Sequence, residues 1–336
     1  MLPNGIKEAA LFIKRGGLVA FPTETVYGLG GDALNKKTVE KIYTAKGRPG
    51  DNPLIVHVAE AEDFWRLTHG APEYAKPLIE AFWPGPLTLV ANKDPGLPKW
   101  VGVHPSNEAS TIAVRMPSHP TAVSLLEESG CFIAAPSANK SGRPSPTSVH
   151  HVAEDFPECQ GHDIFILDGG HSTVGLESTV VDVTGDRPVI LRPGSVTQED
   201  IELVTKLQVV GGIVSGGNAP RSPGTKYKHY SPKAPLTILV GNSANIADYI
   251  TDEAKTPSII GALVMPATFE LLDESPKIII SGPQVELFAQ NLYANLRAFD
   301  NLGVDRIFAE CTPLDGIGFA VMDRMQKAAE GRLIIV

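Results

Sequence analysis

Two positively charged side chains, Lys46 and Arg48, flank a glycine and are followed by Pro49. The proline fixes the backbone where the chain leaves this segment. Lysine supplies a compact point charge and arginine a flat, two-pronged donor, and together they suit a polyphosphate. The same pattern is also typical of an ordinary helix end, where cations lie beside the negative pole of the helix dipole. The segment therefore predicts either a phosphate site or a helix terminus, and its own residues leave both open.

A second possible anion contact is Arg115, which ends the apolar run 111–115 directly before Met116 and Pro117. An arginine in that place can clamp a carboxylate with two parallel hydrogen bonds. The plainer alternative is a salt bridge on the surface.

His57 lies in a similar place, within the apolar run 54–58. A single histidine there is more often a structural residue than a ligand.

Four short polar segments each adjoin an apolar run that is rich in β-branched residues. They cover residues 21–30, 46–57, 133–145 and 175–179. Glycine and proline interrupt all four, which predicts loops at strand ends, where backbone amides and hydroxyls can surround an anion. Ser137 and Asn139 are such candidates, although alone they could form a capping turn. Four loops of this kind predict one shared cleft.

Two common nucleotide-binding motifs nearly match and are rejected. Residues 28–33 fit the glycine pattern of a dinucleotide site, but that pattern requires its first glycine directly after a strand, and Pro22–Tyr27 intervene. Residues 31–38 resemble a phosphate-binding loop, except that Lys36 takes the place of the second glycine and would crowd the turn. The sequence also contains no HExxH motif and no assignable serine–histidine–aspartate triad.

Composition narrows the class of protein. The 336 residues suffice for two domains, and 43% hydrophobic with 20% charged residues is typical of a globular protein. Lys and Arg number 29 against 38 Asp and Glu, a net charge of −9. This balance argues against broad nucleic-acid binding but allows a local basic cleft. Cys131, Cys159 and Cys311 form no paired motif, so neither a disulfide framework nor a thiolate metal site is supported.

The sequence also bears on location. Its first residues contain no basic stretch followed by an apolar one. No apolar run approaches the roughly 18 residues that span a bilayer. We therefore expect a protein that is neither secreted nor embedded in a membrane, with the reducing cytoplasm as its location.

The elements that must position these residues alternate between strands and helices. Strands are predicted at 18–21, 54–58, 87–91, 111–115, 132–135, 164–167, 179–183 and 189–191, with helices at 6–15, 37–46, within 60–82 and at 197–206. This alternation predicts one large α/β domain over residues 1–208. Strands predicted at 236–240, 259–264, 277–280, 306–309 and 332–336 alternate with helices near 243–254, 283–299 and 316–330. They predict a smaller α/β domain over residues 235–336.

Between the two domains, residues 209–234 are predicted to form a linker. Residues 211–224 are rich in glycine, serine and proline and have no hydrophobic periodicity. Residues 225–233 then alternate cations with aromatic side chains, which is unusual for a passive spacer. We expect this second part, with Tyr230, to act as a lid over bound ligands.

Taken together, these segments resemble the threonylcarbamoyl-AMP synthase family, the YrdC-type enzymes of tRNA modification. The resemblance rests on PTETVYGLG at 22–30, KGRP and NPLIVH within 46–57, TIAVRMP at 111–117, APSANKSGRPSPT at 135–147, GLESTVVD at 175–182 and ILRPG at 190–194. The segment SPGTKYKHYSPKAPL at 222–236 is similar to the linker of the longer, two-domain branch. The resemblance covers essentially the whole chain and is weaker over 236–336.

The resemblance implies a YrdC-type twisted open sheet with a deep cleft, followed by a smaller Rossmann-like α/β domain. It implies a nucleotidyltransferase that joins L-threonine, bicarbonate and ATP into L-threonylcarbamoyl-adenylate and releases pyrophosphate. Partner proteins then pass the threonylcarbamoyl group to adenosine 37 of tRNAs that read ANN codons, giving t6A, so contact with tRNA itself is indirect. Threonine and bicarbonate give a carbamate, a weak nucleophile that must be held in line with the α-phosphate. Such a reaction needs no covalent protein nucleophile.

The resemblance also implies which residues bind the substrates. Around threonine and its carbamate it places Thr25, His57, Arg115, Ala135, Ser137 and Ser178. Around ATP it places Lys46, Arg48, Asn52, Thr111, Ser137, Ser145, Arg192 and Tyr230. Lys46 and Arg48 would be the catalytic cations, and Arg115 would pair with the threonine carboxylate. Mg²⁺ bridging the phosphates is expected on chemical grounds, with protein ligands that the sequence leaves unassigned.

Two other functions compete with the synthase hypothesis. A basic cleft and the aromatic, cationic linker could make the chain a non-catalytic RNA-binding module. The net charge of −9 and the lack of a long basic stripe in the sequence argue against it.

A transferase that uses carbamoyl phosphate would share the carbamate chemistry. It would need additional zinc-finger-like and acylphosphatase-like segments that this sequence does not contain.

Overall fold

A computed structural model describes residues 4–157, 163–210, 229–272, 276–280 and 284–336. The chain divides into two compact units. The first comprises Met1–Ser141, Ser145–Thr173 and Glu177–Lys226, and the second comprises Gly142–Pro144, Val174–Leu176 and Tyr227–Val336. Most of the predicted linker, residues 211–228, lies outside the described residues, so its role as a lid stays a prediction.

The described part of the first unit contains nine strands and seven helices. The strands are β1 (Leu18–Phe21), β2 (Gly28–Asp32), β3 (Ile55–His57), β4 (Leu87–Asn92), β5 (Thr111–Arg115), β6 (Ile133–Ala134), β7 (Ile164–Ile166), β8 (Thr179–Asp182) and β9 (Val189–Arg192). The helices are α1 (Asn4–Lys14), α2 (Lys36–Lys46), α3 (Asp63–Leu67), α4 (Ala75–Phe82), α5 (Pro120–Ser129), α6 (Val149–Asp155) and α7 (Gln198–Thr205). The strands form one mixed sheet in the order β7-β1-β2-β6-β3-β5-β4-β8-β9.

Apolar packing differs between the two faces of this sheet. On one face, side chains of α2, α3, α4, α6 and α7 form the main core with alternate strand residues. On the other face, α1 and α5 form a second core with residues of β1 and β6. That face also carries a small cluster of strand residues without any helix residue, namely Ile55, Val90, Ala113, Val180 and the half-buried Leu191. The candidate site lies beside this cluster.

The glycine-rich residues 28–32 form strand β2, so the prediction of a loop there is wrong. Glycine disfavours strands in general, which is why the pattern indicated a loop. Here a larger residue would not fit. A Cβ on Gly30 would lie 2.6 Å from Ile133 Cγ2 and 2.8 Å from Ala135 Cβ. Glycine therefore lets β2 pair with β1 and β6 at close quarters.

Replacing Gly30 by alanine is expected to lower the free energy of unfolding by about 1–3 kcal/mol, because the new Cβ must displace its neighbours. Gly185→Ala is the matched control, since a Cβ there would meet no heavy atom within 4 Å. Urea unfolding followed by circular dichroism measures both variants. Equal effects of the two substitutions would contradict the packing role of Gly30.

The second unit contains a five-stranded parallel sheet. Its strands are β10 (Leu236–Val240), β11 (Ile260–Val264), β12 (Lys277–Ile280), β13 (Arg306–Glu310) and β14 (Leu333–Ile335), in the order β12-β11-β13-β10-β14. Its helices are α8 (Ser243–Ala254), α9 (Pro266–Phe269), α10 (Val285–Leu302) and α11 (Gly316–Ala328).

The predicted fold class, a large α/β sheet domain with a smaller α/β domain, is confirmed. Among the described helices, none is both long enough and apolar enough to cross a membrane.

Candidate functional site

Strands β3 and β5 bring two polar side chains next to the small apolar cluster. The strands run parallel, with Ile55 opposite Ala113 and His57 opposite Arg115. Because alternate strand residues point to the same face of a sheet, His57 and Arg115 share the face of Ile55 and Ala113. Two of the predicted threonine-binding residues are therefore neighbours across the sheet.

The guanidinium of Arg115 is buried and held by three hydrogen bonds. It donates from Nε to Gly85 O (3.2 Å), from Nη1 to Thr25 Oγ1 (2.8 Å) and from Nη2 to Glu24 Oε1 (2.6 Å). Arg115 is 3% exposed and Glu24 is 6% exposed. The salt bridge considered for Arg115 thus exists, but it is buried rather than on the surface. Its contact with the predicted residue Thr25 is direct.

The carboxylate of Glu24 is ionised at neutral pH. Burial raises the pKa of a carboxyl, but the charge and hydrogen bond of Arg115 outweigh it and hold the pKa of Glu24 below its usual value. The backbone N–H of Ser118 donates to the other oxygen, Oε2, at 3.1 Å. Both carboxylate oxygens are therefore engaged.

The imidazole of His57 is uncharged at neutral pH. Burial, together with the nearby charge of Arg115, lowers the pKa of His57 to about 3. Its Nδ1 atom is buried and makes no hydrogen bond of ordinary geometry among the described residues, although backbone groups of Ile55 and Ile133 lie close enough to the ring to oppose the lowering of its pKa. The ring meets that of Phe21 edge-on, with the centroids 5.9 Å apart. A neutral ring nitrogen of this kind can make one hydrogen bond to a ligand.

A pair of hydroxyls lies next to Arg192 at the β8–β9 side of the sheet. Thr88 on β4 and Ser178, directly before β8, share a hydrogen bond of 2.7 Å between their hydroxyl oxygens. Arg192, the last residue of β9, donates from Nε to Ser178 O and from Nη2 to Ser178 Oγ, both at 3.1 Å. The predicted residues Ser178 and Arg192 are thus in direct contact.

Lys46 is the last residue of α2, and Gly47 caps the helix in a left-handed conformation with φ of 59°. The helix-end interpretation is therefore correct, yet the lysine side chain is buried. Its Nζ donates to the carbonyl oxygens of Ser137 and Asn139. The Ser137 hydroxyl in turn donates to Asn139 Oδ1 at 2.5 Å. The predicted residues Lys46 and Ser137 are thus brought together.

Arg48 is anchored to the chain that follows it. It donates from Nε to Asn52 O (3.1 Å), and from Nη2 to Asn52 Oδ1 (2.7 Å) and Pro53 O (2.8 Å). Pro53 and the predicted residue Thr111 both line a cavity of about 420 Å³. This volume lies within the range of small-molecule pockets. The predicted residues Arg48, Asn52 and Thr111 therefore belong to one region.

Two further predicted residues are tied to the same loops. The Ser145 hydroxyl donates to Glu177 Oε1 at 2.6 Å, and both residues are buried. Glu177 directly precedes Ser178, so the segments that carry the two predicted serines meet here. The backbone N–H of Ala135 donates to Ile55 O at 2.9 Å, which fixes it against β3.

Tyr230 belongs to the second unit, where it is buried and has a left-handed φ of 64°. Its ring centroid lies 5.2 Å from that of Tyr293, and the Arg324 guanidinium lies 5.9 Å from the Tyr230 ring. These neighbours belong to the same unit. The role predicted for Tyr230 over the nucleotide stays a prediction.

Sequence reasoning missed three polar side chains at the site: Glu24, Thr88 and Glu177. Glu24 directly precedes Thr25 within residues 22–30, and Glu177 directly precedes Ser178 within residues 175–182. An acidic residue directly before a matched binding residue is therefore the signal that could have found them. Thr88 carries no such signal, because it lies in the apolar run of β4 and its role depends on strand pairing.

The described residues contain no group of three or more His, Cys, Asp or Glu side chains that could hold a metal ion. They therefore do not offer a protein cage that fits Mg²⁺. This ion commonly binds through one or two carboxylates together with substrate phosphates. Its protein ligands stay unassigned.

Comparison with known proteins matches the chain along both units. The model Sua5_yciO_yrdC, described as telomere recombination, matches residues 11–194, and the threonylcarbamoyl-AMP synthase C-terminal domain model matches residues 196–330. The chain is 45% identical to threonylcarbamoyl-AMP synthase of Bacillus subtilis, covering 98% of this chain and 94% of that one. It is 44% identical to threonylcarbamoyl-AMP synthase of Pyrococcus abyssi, covering 98% and 96%. The crystal structure of P. abyssi Sua5 complexed with L-threonine has a TM-score of 0.89 at 43% identity, covering 98% and 96%.

The large mixed sheet and the match over residues 11–194 define an α/β protein of the Sua5, YciO and YrdC class. A second matched domain follows it. Within that class, the chain belongs to the threonylcarbamoyl-AMP synthase family in its two-domain form. The resemblance found in the sequence motifs is thereby confirmed.

Proposed function

We propose that this protein is an L-threonylcarbamoyladenylate synthase, which forms threonylcarbamoyl-AMP and pyrophosphate from L-threonine, bicarbonate and ATP. One observation carries the proposal. Arg115, Thr25 and His57 share one buried location in a chain that is 45% identical to a threonylcarbamoyl-AMP synthase. The relative from P. abyssi, whose structure holds L-threonine, supports threonine as a substrate.

Threonine would bind through a buried cation and neutral hydrogen-bonding groups. Arg115 supplies the charge for the carboxylate, and Thr25 and His57 lie beside it. Because the His57 ring is neutral, it can hydrogen-bond the amine or carbamate without adding charge. Ala135, Ser137 and Ser178 complete the proposed threonine site.

ATP would bind through the cationic and amide side chains of the neighbouring loops. The proposed contacts are Lys46, Arg48, Asn52, Thr111, Ser137, Ser145, Arg192 and Tyr230. Lys46 is buried, and a cation there stabilises phosphate charge more strongly than one in water. With Arg48 it would neutralise charge as the carbamate oxygen attacks the α-phosphorus and pyrophosphate leaves. Catalysis then consists of positioning and charge stabilisation, without a covalent intermediate on the protein.

The product would serve tRNA modification through other proteins. Threonylcarbamoyl-AMP is a reactive mixed anhydride, so proteins that transfer its acyl group to adenosine 37 of tRNAs reading ANN codons must accept it. A cytoplasmic location is part of this proposal, and the free thiols of Cys131 and Cys311 suit a reducing compartment. The domain boundaries proposed for this enzyme are 1–208 and 235–336, with a lid between them.

The RNA-binding alternative explains the site less well. Sequence-tolerant RNA binding relies on exposed cations and aromatic platforms. Lys46, Arg115 and Arg192 are instead buried. The named relatives are curated as synthases, which supports the catalytic function and not the RNA-binding module.

Pyrophosphate is expected to appear only when ATP, L-threonine and bicarbonate are all present. A coupled pyrophosphate assay with each substrate omitted in turn measures this, and mass spectrometry identifies the adenylate. D-threonine serves as the matched control, because it has the same charges but the wrong geometry for the site. Release of inorganic phosphate, or turnover that is indifferent to threonine, would contradict the proposed function.

A further inference from the structure

Glu24 is the one buried acid that touches the proposed threonine-binding cation among the described contacts. It lies in the segment between β1 and β2, whereas Arg115 ends β5. Its Oε1 accepts from Arg115 and its Oε2 accepts from the Ser118 backbone. The carboxylate is therefore fixed at both oxygens and in turn fixes the guanidinium.

Arg115 retains donors for a second carboxylate. A guanidinium carries five N–H groups, and the bonds to Gly85, Thr25 and Glu24 use one each on Nε, Nη1 and Nη2. Within the described residues, one N–H on each terminal nitrogen is left for a ligand. Two such donors suit the two oxygens of a carboxylate.

The charges around Arg115 favour an arrangement in which some of its N–H groups bind Glu24 and others bind a substrate carboxylate. A buried arginine without an acid is costly, and Glu24 supplies the compensating charge when no substrate is bound. His57, on the neighbouring strand, is neutral and adds no competing cation. Thr25 accepts from Arg115 and hydrogen-bonds Thr23 at 2.8 Å, so its hydroxyl is also held.

We propose that Glu24 is a positioning residue for L-threonine, which holds the Arg115 guanidinium so that its two remaining N–H groups receive the substrate carboxylate. This inference rests on the proposed function. It assigns Glu24 no contact with the substrate. The opposite possibility is that Glu24 competes with the substrate carboxylate for Arg115, and the two possibilities predict changes of opposite sign.

Glu24→Gln is the decisive variant, because the amide keeps the shape of the side chain and removes its charge. It is expected to raise the KM for L-threonine roughly tenfold or more, as loss of one charge-assisted contact does. The KM for ATP should change less than about twofold on the same scale. Asp63→Asn is the matched control, since Asp63 is a buried acid paired with Arg66 at 2.9 Å on helix α3, which packs in the main core. It should leave both KM values unchanged.

A ligand lacking the carboxylate separates positioning from general damage to the fold. Binding of L-threonine and L-threonine amide is compared by calorimetry for the wild type and Glu24→Gln. The loss of affinity from L-threonine to L-threonine amide should be smaller in the variant. The reason is that the Arg115 guanidinium, which binds the carboxylate, is no longer held in place. An equal loss in both proteins, or a parallel rise in the KM for ATP and threonine, would assign Glu24 a merely structural role.

Tighter threonine binding by Glu24→Gln would overturn the proposal in favour of competition for Arg115. The proposed function is tested separately by the wild type. If the wild type binds threonine but releases no threonine-dependent pyrophosphate, the synthase function fails while the comparison of the two ligands still decides the role of Glu24.

Discussion

Replacing Lys46 by alanine is expected to raise the KM for ATP by roughly 10- to 100-fold and to lower kcat as well, because one charge-assisted contact to phosphate is worth about 1.5–3 kcal/mol. Lys46 has a second function in the fold, since its Nζ donates to the carbonyl oxygens of Ser137 and Asn139. The variant therefore also loosens the loop that carries Ser137. The KM for threonine should rise less than that for ATP.

Lys41→Ala is the matched control for this prediction. Lys41 lies on the same helix and its Nζ also donates to a backbone carbonyl, Gly16 O, at 2.7 Å. Gly16 precedes β1 and lies outside the proposed substrate contacts. Steady-state pyrophosphate release at varied ATP gives both parameters for each variant, and thermal melting reports their stability. If both lysine variants change the KM for ATP equally, Lys46 is a helix-end cation and not a phosphate ligand.

Much of the fold follows from local sequence patterns. Strand β5 alternates Ile112 and Val114 in the main core with Ala113 on the other face, and such alternation predicts a strand with two different surroundings. Helix α5 was not predicted, although Pro120 at its start and Gly130 at its left-handed C-cap are ordinary helix boundaries. Strand β2 could not be predicted, because its glycines are explained only by their distant neighbours Ile133 and Ala135.

The candidate site also combines residues that sequence motifs predict with contacts between residues that are far apart in the sequence. The motifs predicted Arg115, Thr25 and Ser178 as residues, but not which acid or hydroxyl each one contacts. Glu24 and Arg115 are 91 positions apart, and Thr88 and Ser178 are 90 apart. Such pairs are formed by strand order and register, which one sequence without relatives does not specify. The neutral state of His57 likewise depends on burial beside Arg115, not on its place in the sequence.

Replacing Arg115 by methionine is expected to abolish most threonine binding and to destabilise the protein by about 3–5 kcal/mol at neutral pH, because Glu24 is left buried without its cation. In the wild type, Arg115 holds the pKa of Glu24 below its usual value of 4.5. The pair therefore stabilises the fold above that pH, and this contribution is lost as the pH falls through the lowered pKa. In the variant, burial raises the pKa of Glu24 and is opposed only by backbone hydrogen bonds such as that from Ser118, so the destabilisation should be largest at neutral pH and shrink in acid.

Adding Glu24→Gln to Arg115→Met separates stability from binding. Without a buried charge, the double variant should regain most of the lost free energy of unfolding, since removing both members of a buried ion pair costs far less than removing one. It should still bind threonine at least about tenfold more weakly than the wild type, because no cation is left for the carboxylate. Urea unfolding at neutral and at mildly acidic pH, with calorimetry for threonine, measures both properties. Normal threonine affinity in the double variant would show that Arg115 is not the carboxylate partner, and a destabilisation that does not change with pH would show that the charge of Glu24 is not its cause.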